Sequence, residues 1–274
     1  MEGSGIMRDI RICDDAEPEK ILNLITDNDL GIEIQSFYST ITMDDEEYNT
    51  NLINKYKELL PNVKGGRSLH APFWDLNLGS KTPMIREATM KAFNYAYKIA
   101  KELGCTEIVV HNGFIINTSF YNGWTKNAVS FWQEFFKDKD DSITMMIENQ
   151  NEEDSEIIKM VIDTLGDKRL KVCLDIGHAN ANSNMSVEDW IKTLGNRIGY
   201  LHLHNNHGKI SGRPSYENDE HLSICDGIID IPKVFSLLEE YCPDAIWNFE
   251  SKLNTMEKDI KYAKELGYIK STSK

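Results

Sequence analysis

Eight short β-like runs, each followed by a longer helical pattern, constrain this chain more than any other feature. The runs are Asp9–Cys13, Gly31–Gln35, Ser68–Ala71, Glu107–His111, Thr144–Asn149, Lys171–Asp175, Gly199–His204 and Ala245–Glu250. Their starts lie roughly 20–45 residues apart, room for a strand, a helix and two loops each time. Strands alternating with helices imply a parallel sheet. Eight such units are the number that closes a (β/α)8 TIM barrel, a fold of about 250 residues. The 274 residues suit one such α/β barrel, and no linker rich in Pro, Gly or Ser divides them. A single TIM-barrel domain over 1–274 is expected, with residues 1–7 as a flexible N-terminal tail.

Helix punctuation agrees with this rhythm. Pro18, Pro83 and Pro232 each stand where a helix should begin, since proline is tolerated in the first turn. Thr82 and Ser186 are placed to cap, Pro61 closes the second helix, and Gly104 and Gly267 are placed to terminate. The longest stretch without a regular pattern runs from His204 to Gly227, and a loop that long in a compact domain is usually functional.

Hydrophobic residues make up 41% of the chain and charged residues 27%, a balance that excludes wholesale disorder, collagen and a coiled-coil rod. Apolar runs such as Ile143–Ile147 fall far short of the ~18 residues that span a bilayer. The first residues lack a basic region followed by an apolar core, so no secretory signal is expected. Thirty Lys and Arg against 44 Asp and Glu give a net charge of −14. The average field therefore repels nucleic acid and anionic membranes. A small molecule is the expected partner, with a homo-oligomer open. Five cysteines, Cys13, Cys105, Cys173, Cys225 and Cys242, form no CxxC pair and read as buried, reduced thiols of a cytoplasmic protein.

The strand ends carry the chemistry. Active sites of this fold gather at the C-terminal ends of the strands. The third run ends in His70, the fourth in His111, the fifth in Glu148 and the sixth in Asp175 with His178 just beyond. The seventh carries His202 and His204, and the eighth ends in Glu250. In Tyr200-Leu201-His202-Leu203-His204 the alternation sends both histidines to the lumen. So many imidazoles and carboxylates in one lumen are costly unless a cation neutralises them. Histidine with carboxylate suits Zn2+ or Mn2+.

These residues sit in stretches that resemble the xylose isomerase-like TIM-barrel superfamily, which holds sugar phosphate isomerases and epimerases together with endonuclease IV. The stretches are His70-Ala71-Pro72-Phe73-Trp74-Asp75-Leu76-Asn77-Leu78, Val109-Val110-His111-Asn112-Gly113, Ile147-Glu148-Asn149, Cys173-Leu174-Asp175-Ile176-Gly177-His178-Ala179, His202-Leu203-His204-Asn205-Asn206, Asp219-Glu220-His221-Leu222 and Asn248-Phe249-Glu250. The resemblance implies one divalent metal held by Glu148, Asp175, His204 and Glu250. His202 shares the parity of His204 and remains open as the ligand; His204 is preferred as nearer the strand end. It also implies that His70, His111, His178, Asp219 and His221 could hold up to two further ions.

Two activities follow from that likeness. The first is a metal-dependent sugar or sugar-phosphate isomerase or epimerase. Glu148 and Glu250 would remove and return a proton beside a carbonyl, with the resulting enediolate stabilised by the metal. Glu33, Gln35, Trp74, His178 and Arg213 would hold hydroxyls or a phosphate. The second is an endonuclease IV-like zinc phosphodiesterase acting on abasic-site DNA, against which the net charge and the acidic Asp219-Glu220-His221 segment both speak.

Overall fold

The computed structural model describes residues 8–116 and 118–270; the tail expected at residues 1–7 lies outside them. In chain order the elements are β1 (Ile10–Cys13), α1 (Pro18–Asn28), β2 (Gly31–Ile34), α2 (Glu46–Leu59), β3 (Arg67–His70), α3 (Pro83–Leu103), β4 (Glu107–His111), α4 (Tyr121–Phe135), β5 (Thr144–Glu148), α5 (Glu156–Leu165), β6 (Leu170–Asp175), α6 (Ile176–Asn182), α7 (Val187–Leu194), β7 (Ile198–Leu203), α8 (Ser215–Asn218), α9 (Ile231–Tyr241), β8 (Ile246–Phe249) and α10 (Met256–Glu265). All eight strands pair in parallel and in sequence order, and β1 pairs with β8 to close the barrel.

Local chemistry sets the helix ends. The Ser186 side chain accepts from the backbone of Asp189 to open α7, and Asp230 accepts from Lys233 to open α9. Thr82 occupies the cap of α3 without a side-chain bond, leaving Pro83 as the start signal. Gly104 ends α3 at φ +71°, the left-handed conformation that glycine adopts without a Cβ penalty. Pro61 lies inside a short 3-10 turn, Leu60–Asn62, that follows α2.

Apolar side chains of the strands face the helices and form the main core. Ile32, Leu69, Ile108, Ile147, Leu174, Leu201 and Trp247 meet Phe93, Trp132, Trp190 and Phe235 there. Along α7 the buried residues are Val187, Trp190, Ile191 and Leu194, the i, i+3, i+4, i+7 stripe of a helix packed on one face. The lumen holds its own apolar layer, Val109, Met146, Cys173 and Tyr200, backed by Ile246. Nearer the N-terminal ends of the strands, buried Arg11 pairs with Asp9 and Glu107. The C-terminal ends are left for ionisable residues. Four of the five free thiols are buried as expected, but Cys225 is exposed on the loop that follows β7. Among the described residues no helix is long and apolar enough to cross a membrane.

Candidate metal centre

Strand register decides which side chains meet above the apolar lumen layer. His111 of β4 stands opposite Glu148 of β5, and Asp175 of β6 stands opposite His202 of β7. Asn149 locks the ends of β5 and β6 together, its side chain donating to the Asp175 carbonyl and accepting from the Asp175 amide. The loop after β6 brings His178, the loop after β7 brings Asp219 and His221, and Glu250 follows β8 directly.

Three groups of candidate ligands result: His70, His111 and Glu148; Glu148, Asp175, His202 and Glu250; and His178, His204, Asp219 and His221. Glu148 belongs to two of them and uses its oxygens separately. Oε2 lies 3.0 Å from Nε2 of His111 and 3.3 Å from Nε2 of His70, whereas Oε1 lies 3.0 Å from Nδ1 of His202. The same His202 nitrogen is 2.9 Å from Oε2 of Glu250 and 3.7 Å from Oδ2 of Asp175. Asp219 Oδ2 lies 3.1 Å from Nε2 of His178 and 3.0 Å from Nε2 of His221.

Each of four imidazoles has one nitrogen committed away from these groups. Nδ1 of His70 donates to the Ala71 carbonyl, Nδ1 of His178 to the Asn149 carbonyl and Nδ1 of His221 to the Glu250 carbonyl. Nε2 of His202 donates to Glu33. The remaining nitrogen of each ring faces the carboxylates, the arrangement of metal-ligating histidines, whose second nitrogen is held by an outer acceptor.

The electrostatics point the same way. Burial disfavours charge on His202, yet Cys173, Glu250, Glu33 and Glu148 around it raise the ring well above the ordinary histidine range. Burial also opposes ionisation of Glu148, but His202 and His111 hold its carboxyl well below the usual range. His221, buried but beside Asp219 and Glu250, is raised to about 9. Protons on imidazoles thus stand in for positive charge. Oδ1 of Asp219 and Nδ1 of His204 are buried without any hydrogen-bond partner, a costly state that a cation relieves at the carboxylate. The donor set, imidazole nitrogens with carboxylate oxygens, fits a divalent transition metal.

A cavity of about 310 Å3 opens over these groups, lined by Gln35, Tyr38, Phe73, His70, His111, Glu148, Gln150, His178, Asp219, His221, Glu250 and the β1 loop residues Asp15 and Ala16. No Lys or Arg among the described residues lines it. A wider outer cavity of about 650 Å3 shares Asp15, Gln35, Asp219, His221 and Glu250 and adds Arg213, Glu217 and Glu220.

Of the residues singled out from sequence, His202 and not His204 joins Glu148, Asp175 and Glu250. His204 lies one layer further along, past the end of β7, and its Nε2 donates to Oδ1 of Asp175 at 3.0 Å. Gly177 makes room for it, since a Cβ there would sit 2.0 Å from the His204 ring. The five further candidates, His70, His111, His178, Asp219 and His221, all fall within the three groups. Among the residues expected at a substrate, His178 and Gln35 reach the inner cavity and Arg213 the outer one. Glu33 is instead wholly buried beneath His202. Trp74 lines neither cavity; it is exposed and packs edge-on to Tyr38 at 5.4 Å. Arg213 is engaged by Glu217 and Glu220 at 3.5 Å each. Sequence reasoning gives no site role to Asp15, Tyr38, Phe73 or Gln150; their places just after β1, β2, β3 and β5 are the available signal.

A family model described as xylose isomerase-like TIM barrel matches residues 30–272. The uncharacterized protein MJ1311 of Methanocaldococcus jannaschii is 28% identical over 194 residues, 67% of this chain and 64% of that protein. The chain thus spans just under two-thirds of that relative's length. A solved structure described as a D-tagatose 3-epimerase-like protein superposes with a TM-score of 0.74 at 25% identity, covering 94% of this chain and 96% of its own. A Thermus thermophilus protein, TTHB071, soaked with ZnCl2, superposes at 0.70 with 20% identity, covering 94% and 97%. That last likeness is one of fold.

Proposed function

The chain belongs to the xylose isomerase-like TIM-barrel family, and on that premise we propose that it is a divalent-metal-dependent isomerase or epimerase of a sugar or sugar phosphate. The observation that carries this reading is the meeting of Glu148 and Glu250, from β5 and from just after β8, at one nitrogen of His202, with both carboxylates lining the same cavity. The likeness to a D-tagatose 3-epimerase-like protein supports it.

Glu148, Asp175, His202 and Glu250 would hold the catalytic ion, Zn2+ or Mn2+ by donor type. When bound, such an ion polarises a carbonyl and acidifies the neighbouring C–H. The remaining work falls to the chain. One carboxylate of the Glu148 and Glu250 pair takes the proton and the other returns one, the two acting from separate strands. Gln35 donates to Oε1 of Glu250 at 2.6 Å and so steadies that carboxylate. Tyr38 and Phe73 wall the cavity with aromatic surface that excludes water, and Gln150 and His178 add polar surface beside them. The test is solvent-deuterium exchange into a panel of ketoses, aldoses and their phosphates by the metal-loaded protein. Deuterium at one carbon beside a carbonyl is expected, and no incorporation across the panel would overturn the reading.

A second reading, a zinc phosphodiesterase acting on abasic-site DNA, is favoured by the count of ligand groups, since three adjoining groups would suit clustered ions. The acidic mouth, with Asp15, Glu217 and Glu220, opposes a polyphosphate strand. Incision of abasic-site duplex at physiological salt would establish it; intact duplex alongside about one metal per chain would exclude it.

A further inference from the structure

The wholly buried carboxylate of Glu33 reaches neither cavity over the metal groups, yet both of its oxygens are committed. Oε2 accepts from Nε2 of His202 at 3.1 Å, and Oε1 accepts from Nε2 of Gln35 at 3.1 Å. The same Gln35 nitrogen donates to Oε1 of Glu250 at 2.6 Å. One carboxylate therefore governs two members of the Glu148, Asp175, His202 and Glu250 group, one directly and one through an amide.

We propose that Glu33 is a positioning residue of this group, fixing the ring orientation and proton location of His202 and, through Gln35, the rotamer of Glu250, and thereby setting the affinity for a divalent cation. Placing the proton of His202 on Nε2 leaves Nδ1 as the free donor, and Nδ1 is the atom that faces all three carboxylates. Holding Oε1 of Glu250 against Gln35 leaves Oε2 turned toward that nitrogen. Without Glu33 the ring could flip or change tautomer and the glutamate could rotate, and each loss would cost affinity, since outer acceptors of this kind are worth about 10–100-fold in metal binding. The inference rests on the proposed metal centre.

A neighbouring anion also attracts a cation by charge alone, so the variants must separate charge from position. Glu33→Gln removes the charge and keeps the length; Glu33→Asp keeps the charge and withdraws it from both partners; Gln35→Leu changes no charge and cuts the arm to Glu250. Co2+ titration followed by its visible absorption reports affinity and ligand geometry together, with circular dichroism of the metal-free variants as the folding check. Glu33→Gln and Glu33→Asp are each expected to weaken Co2+ binding by about 10–100-fold and to alter the spectrum, with a smaller loss for Gln35→Leu. Wild-type affinity and spectrum in Glu33→Asp and Gln35→Leu would overturn the proposal, leaving charge alone as the role of Glu33. A wild-type chain that takes up neither Co2+ nor Zn2+ would overturn the metal centre itself, and this inference with it.

Discussion

The ring of His204 lies flat on that of His221, centroids 4.0 Å apart and planes 6° from parallel. Stacked there, and donating to Asp175, His204 braces the ligand groups while His202 enters the four-member group. His202→Ala should therefore weaken binding of the catalytic ion by at least about 10-fold, beyond what an outer partner's loss commonly costs at its low end. His204→Ala should cost less at that site and act mainly on ions held by His178, Asp219 and His221. Metal counts per chain at graded Zn2+ concentration, compared across the two variants, check this. A larger loss in His204→Ala would reverse the assignment.

Glu148 is the one side chain shared by two groups, so its replacement should be felt in both. Glu148→Gln is expected to lower metal content more than Glu250→Gln, and each should reduce turnover by about 10²–10⁴-fold, the usual worth of a positioned acid or base. The barrel should remain folded, because Gln keeps the length and shape of Glu at each position and leaves the apolar core residues untouched. Elemental analysis, circular dichroism and the deuterium-exchange rate together decide it. Near-normal exchange in either variant would remove the proposed proton-transfer pair.

The barrel was legible because inward and outward positions alternate along the strands, broken only where the β6–β7 register shifts between Val172 and Cys173, and because Pro18, Pro83, Pro232 and Gly104 mark helix ends by backbone chemistry alone. The strand-end residues His70, His111, Glu148, Asp175 and Glu250 were legible for the same reason. Alternation could not separate His202 from His204, because parity fixes the face of a strand but not the layer, and the layer depends on register with β6 and β8. Nor could it show that Glu33 faces a histidine rather than a substrate, since that contact joins β2 to β7 across the lumen. The aromatic pair Tyr38 and Phe73 received no site role because loop residues carry no period.

Metal uptake should release protons. His221, raised to about 9, and His202 and His178, raised well above the ordinary histidine range, are protonated at pH 7 in the metal-free chain, and a cation must displace those protons. Affinity should therefore rise with pH, including through about 9, where His221 gives up its proton. The stability of the metal-free chain should run the other way. A ring whose folded pKa is raised contributes stability that is complete below the unfolded value of about 6.5 and lost as pH climbs through the folded one. Thermal melts between those limits should show Tm falling with pH without metal, and falling less when Zn2+ is bound. A flat metal-free profile would contradict the charge state assigned to these rings.

Arg11 anchors the opposite end of the lumen. Its side chain is 2% exposed and pairs with Asp9 and Glu107, whose side chains are 39% and 13% exposed. Losing the half-solvated Asp9 partner matters little, but Arg11→Met strands Glu107 with its charge mostly shielded from water. Breaking a buried pair from one side costs about 3–5 kcal/mol, and the partial exposure of Glu107 places this case toward the lower figure. Adding Glu107→Gln removes the stranded charge, so the double variant should recover part of the loss. Urea unfolding of the single and double variants measures both quantities. Because this cluster lies beneath the apolar layer of Val109, Met146, Cys173 and Tyr200, metal affinity should be unchanged in the folded fraction. A fall in affinity that tracks Arg11→Met would mean that the two ends of the lumen are coupled through that layer.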